Sequence, residues 1–162
     1  MRKNKKRNHQ KHPVPNHKYK DRLFRLVFNN KRDLLDLYNA LNNTCYENPN
    51  DLEVNTLEDA VYLSMKNDIS FLIGGTLNLY EHQSTYNPNM PLRGLIYLAR
   101  LYDGYVETKN INLYSSSLKK LPIPQYFVFY NGTKEQPDET ILQLTDAFES
   151  VSDNRQPCLQ CT

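Results

Sequence analysis

The residues best suited to bind a cation and hydrolyse an ester lie in one stretch, Asp68-Ile-Ser-Phe-Leu-Ile-Gly-Gly-Thr-Leu-Asn-Leu-Tyr-Glu-His-Gln83. Two strand-like runs flank Gly74-Gly75, and glycine tolerates the positive φ angles that a tight hairpin needs. A turn centred between the two glycines pairs residues whose numbers sum to 149, so Ser70 faces Leu79 and Asp68 faces Glu81. Side chains alternate along a strand, which puts Asp68, Ser70, Leu79, Glu81 and Gln83 on one face. Directly opposed residues have Cβ atoms about 4.5–5.5 Å apart. Two carboxylates at that separation repel, and a positive charge between them relieves the repulsion. Oxygen ligands with room for water suit Mg²⁺ or Mn²⁺, which polarise phosphoryl oxygens and generate hydroxide. A neighbouring Lys or Arg at a solvent-exposed hairpin end would relieve it equally well. Gln83, one pleat beyond Glu81, could position a water or a phosphate oxygen, or could be an ordinary polar strand end. His82 alternates to the opposite face.

The elements around this hairpin follow from periodicity. Leu23, Phe24, Leu26, Val27 and Phe28 predict a short helix with Asp21 in its first turn. A second helix is expected over about 31–41, with Leu34, Leu35, Tyr38 and Leu41 on one face, Asn30 as cap and Asp33 completing a capping box. Asparagines and Pro49 mark a loop over 42–50. The stretch 52–65 is ambiguous between strand and helical turn. After Pro88 and Pro91, the residues Leu92, Leu95, Ile96 and Ala99 form a helical apolar stripe. Arg93, Tyr97 and Arg100 recur on another face, either as a solvated face or as a source of positive charge for the hairpin site. Residues 110–122 predict a loop, and Gln125-Tyr-Phe-Val-Phe-Tyr130 a buried strand ended by Asn131-Gly132.

Three longer strings resemble a known family: Lys66-Asn-Asp-Ile-Ser-Phe-Leu72, Tyr80-Glu-His-Gln-Ser84 and Asn87-Pro-Asn-Met-Pro-Leu-Arg93. Together with Lys20-Asp-Arg-Leu-Phe-Arg-Leu-Val-Phe28, they look like the recombination-promoting nuclease family of transposase-related proteins. That family belongs to the PD-(D/E)XK nuclease superfamily, and the likeness runs over about residues 18–150. It implies an α/β, restriction-endonuclease-like core, a mixed β-sheet with a central β-hairpin flanked by helices. It also implies a Mg²⁺-dependent (or Mn²⁺-dependent) DNA endonuclease acting in recombination or on mobile elements. Asp68 and Glu81 would bind the metal, Asp21 would complete the site, and Gln83 would stand where the superfamily usually places a lysine. Glutamine carries no charge, so Arg93 or Arg100 would have to supply that contribution. Family members generally continue further, so residues 151–162 read as the start of a truncated C-terminal segment.

Charge divides the chain. Residues 1–20 hold eight of its 20 Lys and Arg (among them Lys3, Lys5, Lys6 and Arg7) and no acid, leaving 12 bases against 18 acids beyond residue 20. A basic, Pro-containing arm of this kind is expected to be disordered by itself, and it suits either phosphate neutralisation on DNA or solubilisation. Residues 21–150 would form the nuclease core. No run of about 18 apolar residues predicts a membrane span, and the basic start has no apolar segment behind it to make a secretory signal. Three cysteines give no disulfide framework, consistent with a reducing, cytoplasmic setting. Cys158-x-x-Cys161 has zinc spacing but no second pair. A homo-oligomer is compatible with these features. Rival functions are a catalytically inactive DNA-binding module of the same fold and a partner-binding structural domain.

Overall fold

The computed structural model describes Phe28, residues 30–54 and residues 69–149. The expectations for the basic arm, Asp21, the ambiguous stretch from residue 55 onward, Asp68 and residues 151–162 lie outside the described residues. Among those described, the order is α1 (Lys31–Asn42), β1 (Glu53–Val54), β2 (Ile69–Ile73), β3 (Thr76–Gln83), α2 (Met90–Thr108) and β4 (Ile123–Tyr130). Single 3₁₀ turns occur at Pro49–Asp51 and Leu144–Ala147. None of the described helices is long and apolar enough to cross a membrane.

α1 begins where expected. The Asn30 side chain accepts a hydrogen bond from the Arg32 amide at 2.9 Å, satisfying one of the amides a helix start leaves open. The helix stops at Asn43, whose left-handed φ of 52° suits asparagine better than a branched residue. The Asn39 side chain then holds the exit loop, donating to the Tyr46 carbonyl and accepting from the Tyr46 amide and the Thr44 hydroxyl, each at 2.9 Å.

The hairpin turns at Gly74 and Gly75, with φ of 56° and 82°. Positive φ at both central residues is the type I′ requirement that glycine meets without steric cost. The observed pairs, Ile73 with Thr76 through Ile69 with Tyr80, keep the register that the glycines imply. β2 and β3 are the two central strands of a four-stranded sheet in the order β1-β2-β3-β4. β1 and β2, like β2 and β3, are antiparallel, whereas β3 and β4 are parallel and joined by the α2 crossover. The molecule is therefore α/β with a mixed open sheet.

Alternation sorts the sheet into two apolar layers. On one face Ile69, Phe71, Ile73 and Tyr80 are buried with Leu34, Leu35 and Tyr38 of α1, and Phe127 and Phe129 pack against them. The rings form an edge-to-face chain, Tyr38 to Phe71 to Tyr80 to Phe127, with centroids 6.0, 5.1 and 5.5 Å apart. Such contacts add about 0.5–1.5 kcal/mol per pair beyond area burial. On the other face Leu77 and Leu79 are buried with Tyr97 and Leu101 of α2. Because β3 is covered on both sides, its six interior residues are all buried, as a central strand between two layers requires.

Two expectations are corrected. α2 does not face the sheet with Leu92, Leu95, Ile96 and Ala99: Leu92 is 44% and Leu95 41% exposed. Its buried residues are Met90, Gly94, Tyr97 and Leu101, an equally helical spacing. Gly94 belongs to that stripe because a Cβ there would collide with the Tyr126 ring, so the close approach of the helix to β4 at this point requires glycine. Arg93 and Tyr97 consequently turn inward rather than forming a solvated face. β4, expected as a buried strand, is a half-buried sheet edge. Pro124, which lacks an amide hydrogen, is tolerated in it for that reason.

Candidate functional site

Glu81 lies near the carboxyl end of β3 on the face covered by α2, in line with Leu77 and Leu79, and is only 2% exposed. A carboxylate this deep must meet a cation or strong donors, since an isolated buried charge is costly. Arg93, one turn into α2, provides the cation. Its Nη2 lies 3.4 Å from Glu81 Oε2 and donates to the Tyr97 hydroxyl at 3.1 Å. The guanidinium carbon sits 5.8 Å from the Tyr97 ring centroid, within cation–π range. Nη1 contacts the Met90 sulfur at 3.4 Å. Burial by itself would lower the Arg93 pKa, but the Tyr97 hydrogen bond and the neighbouring Glu81 charge outweigh it, and the net shift is upward. Arg93 is thus held as a permanent cation against a buried carboxylate.

Of the remaining predicted site residues, Gln83 ends β3, half-buried. Its carbonyl accepts from the Asn131 amide at 3.0 Å, while its side-chain amide makes no hydrogen bond among the described residues. Arg100 lies two helical turns, about 10 Å, further along α2 from Arg93. It is half-buried, and its Nη1 is enclosed without a hydrogen-bond partner among the described residues. His82 is 7% exposed on the α1 side of the sheet, away from Glu81 as alternation requires. Glu81 and Arg93 therefore come together, Gln83 continues the same face, and Asp21, Asp68, Lys3, Lys5, Lys6 and Arg7 are outside the described residues.

The donor set around Glu81 is sparse. Among the described residues no group of three or more His, Cys, Asp or Glu could hold a metal ion. Mg²⁺, however, characteristically uses one or two carboxylates and keeps several waters. Among the described residues Glu81 can supply one such carboxylate, beside Arg93.

Residue-type reading missed a cavity of about 560 Å³ at the carboxyl ends of β3 and β4, bordered by Gln83, Tyr86, Met90, Tyr130, Lys134 and Gln136. Much of its wall comes from the irregular segment after β4, where neither periodicity nor spacing marks a site. The only pointer was topological, since open α/β sheets tend to bind ligands at the carboxyl ends of their strands.

No protein-family model matches this chain, and comparisons with curated proteins and with solved structures likewise give no match.

Proposed function

We propose that this chain is a metal-dependent DNA endonuclease with a restriction-endonuclease-like core, acting in recombination or on mobile elements. The observation that carries the reading is the buried Glu81 beside Arg93 on the central strand of a mixed sheet with a central hairpin. Continued by one residue, the β2–β3 register would set Asp68 opposite Glu81, giving the two carboxylates for Mg²⁺ or Mn²⁺. The ion's chemistry would be to polarise a phosphodiester oxygen and to make a bound water nucleophilic.

The protein's own residues divide the remaining work. Arg93, already fixed by Tyr97 and Glu81, would face the extra negative charge of the transition state, the contribution that uncharged Gln83 cannot make. Asp21 would complete the acidic site. Arg100 would take a neighbouring phosphate. Lys3, Lys5, Lys6 and Arg7 would neutralise backbone charge without reading sequence.

The test is incubation of supercoiled plasmid with Mg²⁺ or Mn²⁺, beside Asp68→Ala and Glu81→Gln. Metal-dependent nicking that both variants lose is the expected result. A second reading draws on the same pair: Arg93 already neutralises Glu81 without any metal, which suits a DNA-binding module that has no turnover. Salt-sensitive plasmid binding without nicking would select it. Neither binding nor nicking would exclude both.

A further inference from the structure

The cavity beyond Gln83 lies at the carboxyl ends of the two parallel strands, beside the start of the helix that connects them. Its aromatic wall is built rather than incidental. The Tyr130 hydroxyl donates to the Lys134 carbonyl at 2.9 Å, which ties the loop after β4 back over the strand end. Gly132 makes this closure possible, because a Cβ there would collide with the Tyr130 ring and with the Ser84 carbonyl. A second ring, Tyr86, is 43% exposed at the rim. The amide side chains of Gln83 and Gln136, both in the lining, make no hydrogen bonds among the described residues. Each amide offers both a donor and an acceptor.

Charge narrows the ligand. The lining contains Lys134 against Glu135 and Asp138, a formal −1, which disfavours a phosphate inside the cavity. The positive charge sits instead at Arg93, whose Nη1 touches Met90, itself part of the cavity wall. Gln83 lies one strand repeat, about 6.6 Å, beyond Glu81. A guanidinium beside a cleft that has aromatic walls, amide side chains and no net positive charge matches a nucleotide, with phosphate at the first and base in the second.

We propose that this cavity receives one unstacked nucleobase of the DNA strand, between Tyr86 and Tyr130, with its polar edge on the amides of Gln83 and Gln136. The inference rests on the DNA reading above and adds to it that the substrate strand is single-stranded or locally opened there, because a base inside a stacked duplex cannot enter. Stacking on the rings supplies affinity, and the two amides can match the donor and acceptor pattern of a base edge.

The experiment uses the full chain in EDTA, so that cleavage plays no part. Two fluorescein-labelled single-stranded oligonucleotides are compared by anisotropy: one carries a central 2-aminopurine, the other an abasic site at that position. Wild-type protein is expected to bind the first more tightly and to quench its 2-aminopurine emission through stacking. Tyr86→Ala, at a half-exposed position, is expected to weaken binding of the first about tenfold, to abolish the quench and to leave the abasic oligonucleotide unaffected. Gln136→Ala should give a smaller loss with the same selectivity. Equal affinities of the wild type for the two oligonucleotides without quenching would overturn the cavity's role and leave the DNA reading standing. Equal weakening of both oligonucleotides by Tyr86→Ala would do the same. If the wild type binds neither, this inference falls, and the plasmid assay with Mg²⁺ decides the DNA reading separately.

Discussion

Removing Arg93 should harm the fold more than removing Glu81, and the asymmetry follows from where each charge lies. At 3.4 Å, the Coulomb attraction is about 1 kcal/mol in bulk water and about 5 kcal/mol at the effective dielectric of about 20 that suits protein sites. The Glu81 side chain is 2% exposed but that of Arg93 is 30% exposed, so water screens part of the attraction and the coupling should be ~2 kcal/mol. In Arg93→Met the carboxylate stays buried beside an apolar side chain, for an expected loss of about 3 kcal/mol, the lower end for breaking a buried pair. In Glu81→Gln the guanidinium keeps the Tyr97 hydroxyl and its access to solvent, so the loss should be ~1 kcal/mol. The double variant should be ~2 kcal/mol more stable than the sum of the two losses predicts. Urea unfolding followed by far-ultraviolet circular dichroism, at constant pH and without metal, measures all four corners of this cycle. Additive losses, or a larger loss in Glu81→Gln than in Arg93→Met, would refute the assignment of Arg93 as the counter-charge of Glu81.

Among the described residues the Tyr80 hydroxyl is buried without a hydrogen-bond partner, so Tyr80→Phe should stabilise the protein by about 1 kcal/mol in thermal or urea unfolding. Burial, reinforced by nearby Tyr38, also holds the Tyr80 phenol far above its ordinary pKa. Stability should therefore be independent of this group below pH about 10 and fall above it, where only the unfolded chain releases the proton; Tyr80→Phe should flatten that alkaline decline. Gly94→Ala should cost about 1–2 kcal/mol by driving a methyl group into the Tyr126 ring. Gly104→Ala in the same helix meets nothing within 4 Å and should gain about 0.5–1 kcal/mol; equal effects of the two on melting temperature would refute the close approach of α2 to β4. Deleting residues 1–20 should flatten the salt dependence of DNA binding while leaving the circular dichroism of the core intact; an unchanged slope would show that the arm does not touch phosphate.

What could be read from the sequence was local. Gly74-Gly75 set the turn type, turn type set register, and register with period-2 alternation put Glu81 and Gln83 on one face and His82 on the other. Asn30 marked the start of α1 because an asparagine side chain can satisfy an open amide at a helix N-terminus. The facing of α2 was not legible, because two stripes of the same helical period compete there. Aliphatic content favours Leu92, Leu95 and Ile96, but what packs is the stripe through Gly94 and Tyr97, since only a missing Cβ leaves room for Tyr126. That choice belongs to the tertiary structure, for Tyr126 is 32 residues away and meets the helix only when β4 pairs in parallel with β3. The same step turns Arg93 onto Glu81 and brings the strand ends and the 131–142 segment around the cavity. Short-range stereochemistry placed the carboxylate, and the long-range β3–α2–β4 crossover supplied its counter-charge and the cleft beside it.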